Sequence, residues 1–405
     1  MPSSYRKTPN QRSAFGGNRR SYGGRPASQG NNRRRHGQYI DPSRFIKEAR
    51  IVEATQYEAL HNFDDFAISD LLKRNLAAKG YVTPSPIQDQ TIPVALSGSD
   101  VIGIANTGTG KTAAFAIPLV EKLMQNKDAT ALIIAPTREL AQQIEDELKS
   151  IARGSGLFGA LLIGGSSMGI QLRDLRNKPE IIIGTPGRIK DHLERGTLKL
   201  NRCRMVVLDE VDRMLDMGFL PDVTTILQHI PEERQSLFFS ATMDPRVSKL
   251  IEGFADRPMA ITHKTSDSSD NVHQNVIRFS SVSEKIDKLH DVLIRTEVEK
   301  IIIFDETQRS VERLSNELVD RGFKADAIHG GKSQGQRQRA LNRFKKSEVT
   351  VLVATDVAAR GIDVNDITHV INYTVPQTYD DYVHRIGRAG RAGRIGHALT
   401  FVNHQ

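Results

Sequence analysis

The sequence has no tryptophan and one cysteine, Cys203. A single thiol closes no internal disulfide, and a reducing compartment, the cytoplasm, is the expected setting. Cys203 reads as a packing residue in the approach to an apolar strand. No apolar run approaches the length of a membrane span, and no hydrophobic segment follows the basic N-terminus, which argues against a membrane protein and a secretory signal. Acidic residues are missing altogether from residues 1–40, which carry nine Lys or Arg. The formal charge of +8 is therefore a property of this tail; the rest carries 47 basic and 48 acidic residues. Rich in Gly, Ser, Asn, Gln and Arg, residues 1–45 bury too little apolar surface to fold and are expected to be disordered. Their arginines suit phosphates, and Tyr5, Phe15, Tyr22 and Tyr39 could stack on bases; the alternative is a solubilising tail with no defined partner.

What is present, over 405 residues in all, is a regular alternation of short apolar runs with helical stretches from about residue 60 onward. Runs at 101–105, 131–135, 160–163, 181–184, 205–208, 237–239 and 259–262 predict a parallel α/β sheet. A polar stretch near 264–270 breaks the pattern. It resumes at 275–279, 301–304, 325–328, 349–354, 368–371 and 398–402. The expectation is two α/β domains in tandem, residues 60–264 and 273–405, joined by a short linker at 265–272.

The first run feeds Ala105-Asn106-Thr107-Gly108-Thr109-Gly110-Lys111-Thr112. A strand running into a glycine-rich turn aims backbone N–H groups at a phosphate chain; Lys111 reaches the β/γ-phosphates and Thr112 can hold Mg²⁺. Ala105 stands where the strict pattern has its first glycine. A second apolar run ends in Asp209-Glu210-Val211-Asp212, which reads as a buried strand delivering acids to its C-terminal edge. Asp209 would bind Mg²⁺ and Glu210 would polarise the attacking water. Alone, this is also how a strand followed by a solvated acidic turn looks. The second domain has neither feature, so it can only complete a nucleotide site from the other side.

Together with further motifs, the chain resembles the DEAD-box ATP-dependent RNA helicases, superfamily 2 enzymes with two RecA-like domains, over roughly residues 60–403. Gly80 to Gln88, with Phe63 upstream, is similar to the Q motif. The resemblance implies that Gln88 hydrogen-bonds adenine and Tyr81 packs on the ring. An amide offers both a donor and an acceptor, which suits that choice of base. Pro136-Thr137-Arg138, Gly164-Gly165 and Thr185-Pro186-Gly187-Arg188 resemble RNA-contacting motifs. Ser240-Ala241-Thr242 resembles the coupling motif, whose hydroxyls are expected on Asp212. In the second domain, Phe304 to Thr307, Gln334 to Arg337, Ala354 to Asp363 and His384 to Arg391 resemble the remaining motifs. The resemblance then implies RNA contacts by Gln334, Arg337 and Thr355, and a ribose contact by Asp363. It also implies arginine fingers at Arg388 and Arg391, and a contact of His384 with the Asp212 and Ser240 region.

Val211 stands where the family has alanine, and Asn106, Thr109 and Ala389 replace the commoner Gln, Ser and Thr. Many members continue beyond the equivalent of Gln405, so a short or missing last helix is expected. The family implies ATP and Mg²⁺ as ligands, RNA and ribonucleoprotein components as partners, and a monomer. Duplex unwinding is the leading expectation. An ATP-gated RNA clamp that holds without separating strands uses the same sites, and a DNA translocase fits the tandem fold but not the Gln88 region.

Overall fold

The computed structural model describes residues 39–50, 57–106, 108–263, 270–295, 297–359, 362, 364, 366–390 and 394–404. Each of the apolar runs forms a strand. In the first domain these are β1 (Val101–Ala105), β2 (Thr130–Ile134), β3 (Gly159–Leu162), β4 (Ile181–Gly184), β5 (Cys203–Leu208), β6 (Gln235–Ser240) and β7 (Met259–His263). They form one parallel sheet in the order β3-β4-β2-β5-β6-β1-β7. The second domain has β8 (Val272–Phe279), β9 (Ile301–Phe304), β10 (Ala325–Ile328), β11 (Val351–Ala354), β12 (His369–Asn372) and β13 (Gly396–Asn403). Their order is β10-β11-β9-β12-β13-β8, again parallel throughout.

These strands are apolar on both faces because helices cover both faces. Along β2, Ala131 and Ile133 join one core layer, while Leu132 and Ile134 join the other. Along β9, Ile301 and Ile303 alternate with Ile302 and Phe304 in the same way. Cys203 is buried and free, its thiol pushed up to about 12 by burial, as a packing residue requires. Val211 is fully buried in the layer that includes Leu208 and Phe238, so the extra methyl groups have room. In parallel sheets ligands gather beyond the C-terminal strand ends. Here those ends are Ala105, Ile134, Leu162, Gly184, Leu208 and Ser240 on one side, and Phe304, Ile328 and Ala354 on the other.

The disordered tail was expected to reach residue 45, and there the structure differs. Residues 1–38 lie outside the described set, but Pro42–Phe45 form a 3-10 turn capped by Asp41. Phe45 is fully buried against Tyr382 of the second domain, ring centroids 4.6 Å apart. Its few apolar residues are diluted by polar neighbours, so composition missed a segment that a pocket elsewhere in the chain can hold. The linker lies largely outside the described residues, with Val272 already in β8.

Candidate nucleotide cleft and nucleic-acid interface

Between β1 and the helix Lys111–Gln125 the chain turns through Gly108 and Gly110, at φ 81° and 91°. A Cβ at Gly110 would collide with the Gln88 amide, so both conformation and space demand glycine there. Lys111 curls back over the turn, its Nζ donating to Ala105 O at 3.0 Å. The turn is braced from behind. Ser85 Oγ donates to Thr109 O at 2.7 Å, Gln88 Nε2 donates to Gly110 O at 3.1 Å, and Gln88 Oε1 accepts from Ser85 N at 2.9 Å. Thr109 Oγ1 donates to Asn106 O at 2.9 Å. Gln88 thus holds the phosphate turn; an amide so engaged keeps one N–H and one lone pair for another partner. Phe63 meets Tyr81 edge-on at 5.4 Å, and the Tyr81 hydroxyl donates to Glu147 at 2.8 Å. Burial and that carboxylate raise the phenol above its usual value. Thr107 lies outside the described residues.

Asp89, beside Gln88, drew no attention in the sequence. Its carboxylate accepts from Tyr57 Oη at 2.6 Å, Leu60 N at 2.7 Å and the His61 ring at 2.6 Å. Burial works to raise it, but these hydrogen bonds outweigh burial and hold it below the ordinary range. Only the fold could reveal this clamp, since its partners are scattered over the preceding loop.

At the end of β5, Asp209 Oδ1 accepts from Glu210 N at 3.0 Å. Burial pushes the Asp209 carboxyl up to about 6; Lys111 opposes the rise, while Glu210 and Asp212 add to it. Glu210 holds a left-handed backbone, φ 54°, and its buried Oε2 has no hydrogen-bond partner among the described residues. Asp212 Oδ2 accepts from Ala241 N at 3.1 Å, Thr242 N at 2.9 Å and Thr242 Oγ1 at 3.0 Å. The expected Thr242 contact is therefore present. Ser240 also meets Asp212, but at its main chain: the Ser240 Oγ accepts from the Asp212 backbone N–H at 3.3 Å. The cause is position, because Ser240 ends β6 beside the Asp212 main chain while the next turn carries Thr242 over the carboxylate.

The second domain closes this cleft. A cavity of about 450 Å³ is lined by Tyr81, Gly108, Gly110, Lys111, Thr112, Asp209 and Glu210 from the first domain, and by Lys345 and Arg388 from the second. Arg388 is aimed by its own backbone neighbourhood, Nη1 donating to Ile362 O at 2.9 Å. Arg385, unremarked in the sequence, grips Asp356 through two bonds of 2.6 and 2.7 Å and so ties the helix Tyr379–Ile386 to the turn after β11. His384 and Arg388 share a small cavity with Arg213, the residue after Asp212. Asp363 and Arg391 lie outside the described residues. A glycine-lined turn, a lysine, an orphaned carboxylate oxygen and a cleft of this size fit a magnesium nucleoside triphosphate. Among the described residues no cluster of three or more His, Cys, Asp or Glu could cage a metal. Thr112 and Asp209 both line the cleft and offer oxygens of the kind a magnesium ion takes.

A second groove runs along the other rim. Pro136, Thr137, Arg138, Gly164, Thr185, Gly187, Arg188 and Arg337 line a cavity of about 560 Å³, which also meets Met217 and Phe219. An adjoining one of about 440 Å³ holds Thr307, Thr355 and again Arg337. Gly164 and Gly165 lie under the Arg138 guanidinium so closely that a Cβ at Gly165 would run into it. Gly165, Pro186 and Gln334 are not among the residues that line these two grooves. Arg337 also bridges the domains: its Nη2 is 2.8 Å from Glu139 Oε2, and both side chains are buried. Burial drives the Glu139 carboxyl up and the Arg337 guanidinium down, each offset in part by the other's charge.

Two parallel sheets of this order, with a phosphate turn and acid pair on one and an arginine wall on the other, define a RecA-like, two-domain nucleotide-dependent enzyme. The chain belongs to the DEAD-box helicase family: residues 85–251 match the DEAD/DEAH box helicase family and residues 284–393 the helicase conserved C-terminal domain. The ATP-dependent RNA helicase CshA of Listeria monocytogenes is 44% identical over 341 residues, covering 84% of this chain and 66% of that protein. CshA of Limosilactobacillus reuteri is 43% identical over 342 residues, covering 84% and 69%. The chain thus spans about two thirds of the length of these curated relatives. Among solved structures, Saccharomyces cerevisiae Dbp5 bound to RNA and ADP BeF3 superposes with a TM-score of 0.73 at 28% identity, covering 85% of this chain and 90% of that one. No helix among the described residues is long and apolar enough to cross a membrane.

Proposed function

We propose that this chain is an ATP-dependent RNA helicase whose ATP hydrolysis is switched on by RNA and drives local duplex separation. The observation that carries the reading is the shared cleft, where Arg388 of one domain faces Lys111, Asp209 and Glu210 of the other. Lys111 would release its hold on Ala105 O to bind the β/γ-phosphates. Bound magnesium would neutralise charge developing on the phosphates, held by Thr112 and Asp209. The orphaned oxygen of Glu210 would accept a hydrogen bond from the attacking water. Arg388, joined by Arg391, would stabilise the transition state, an effect of about 10³–10⁵ in rate in comparable phosphoryl transfers. Gln88 and Tyr81 would receive adenine and Asp363 the ribose.

RNA in the opposite groove would contact Arg138, Arg188 and Thr355 through phosphates. Because those walls belong to both domains, RNA and ATP favour the same closed arrangement, and each should tighten the other. The basic tail would add phosphate contacts of its own. The proposed setting is cytoplasmic and the proposed unit a monomer. Steady-state ATPase measured with and without RNA tests the reading: strong stimulation is expected, and Glu210→Gln should abolish turnover while ATP and RNA still bind. An RNA-indifferent ATPase would overturn it. Stimulated hydrolysis without displacement of a short RNA duplex would favour a clamp instead.

A further inference from the structure

We propose that the chain preceding the first domain is a second tether between the two domains, docked on one through residues 39–50 and on the other from Tyr57 onward, and that it limits how far the cleft opens. The segment precedes the first domain in sequence yet docks on the second. Ile40 and Phe45 are buried there. The Arg44 guanidinium lies 3.8 Å over the Tyr379 ring. Lys47 exchanges both backbone hydrogen bonds with Gln274, at 3.0 and 2.7 Å, adding an antiparallel bridge to the exposed edge of β8. Gln274 in turn accepts from Tyr382 Oη at 2.9 Å, which places the bridge and the Phe45 pocket in one unit.

The same chain is then anchored to the first domain by the Asp89 clamp on Tyr57, Leu60 and His61. Both anchors sit at the hinge. On the first domain Tyr57 meets His263, the last residue of β7, edge-on at 6.2 Å. On the second, Asp270 receives Lys47 Nζ at 2.6 Å, and its carbonyl accepts from Arg50 N at 2.9 Å. The chain therefore passes between the domains twice, each time over six residues, from anchors that lie together on each domain. A chain of that length reaches no more than about 25 Å between its anchors. A single hinge lets one domain swivel about a point. Two connections whose ends are fixed side by side bound both separation and twist, and so raise the effective concentration of one wall of the cleft at the other.

The test uses the full chain with dyes on Glu194→Cys and Lys324→Cys, both on exposed surface. Interdomain distances are read without ligands, so this arm does not depend on the helicase reading. Two perturbations are compared: Phe45→Asp, which undocks the segment, and an insertion of about twelve Gly/Ser residues within 51–56, which leaves the contacts of residues 40–50 and of Tyr57, Leu60 and His61 in place. Both are expected to broaden and lengthen the distance distribution. Both should raise the RNA concentration for half-maximal ATPase by roughly three- to tenfold with an unchanged maximal rate. The same insertion placed before Tyr39 should do neither. Distances unchanged by the insertion overturn the tether, even if Phe45→Asp is harmful, because the segment would then only stabilise the second domain. Lengthened distances in a protein whose ATPase ignores RNA would sink the helicase reading and leave the tether standing.

Discussion

Replacing Arg337 by methionine should uncouple the domains without unfolding either. In the closed arrangement Glu139 is 2% exposed at its side chain and Arg337 6%, with 2.8 Å between the charges. Neither Glu139 oxygen nor Arg337 Nε meets hydrogen-bond geometry among the described residues, so the pair is held by charge at close range, with Arg138 adding to the field at Glu139. Breaking one half of a buried pair typically costs about 3–5 kcal/mol, because the other charge stays desolvated. Here the protein has an escape, since Glu139 and Arg337 lie on different domains and opening returns the carboxylate to water. The penalty therefore falls on closure. Taking about 3 kcal/mol, the closed population drops on the order of a hundredfold.

The assay is steady-state ATPase at saturating ATP over an RNA titration, with thermal melting as the control for folding. Arg337→Met should lower RNA-stimulated turnover by roughly a hundredfold while the melting temperature moves little. Glu139→Gln in the same chain should recover part of the loss, since an amide is cheaper to bury than a carboxylate. This cycle also separates the ion pair from a phosphate contact, because a lost RNA contact at Arg337 would not be relieved by changing Glu139. Arg337→Met within threefold of the parent, or purely additive single and double variants, would refute the reasoning.

Gly110→Ala should weaken ATP-analogue binding at least tenfold, since the left-handed backbone costs about 1–3 kcal/mol and the new Cβ displaces Gln88; fluorescence titration reads it. Thr242→Val removes the side-chain donor to Asp212 and leaves two backbone donors. A hydrogen bond to a carboxylate is worth about 1.5–3 kcal/mol, so RNA stimulation should fall about tenfold or more while ATP affinity holds. In the second sheet, His369 stacks on His397 at 4.7 Å, with His273 beyond, 5.9 Å from His397. Burial first, then the neighbouring His397, depresses His369 to about 4, with Arg295 adding to and Glu297 opposing the shift. The unfolded chain therefore takes up protons first. Stability is full above about pH 6.5 and should fall as pH drops toward about 4, and His369→Phe should flatten that dependence in chemical denaturation at several pH values.

The strands, their parallel pairing and the phosphate turn were legible in the sequence because each depends on local pattern: doubly buried strands read as unbroken apolar runs, and a turn at positive φ reads as glycine. Lys111, Asp209 and Glu210 could be named on the same ground, since chemistry at a strand end leaves its residue types next to the run. The tertiary structure alone decided which groups meet across long stretches of chain. Arg337 found Glu139, the Asp89 carboxylate gathered the loop before it, and Phe45 left a polar tail for a pocket beside Tyr382. Those partners come from separate elements, and burial, which makes such contacts strong, is a property of the packed molecule that no window of neighbouring residues contains.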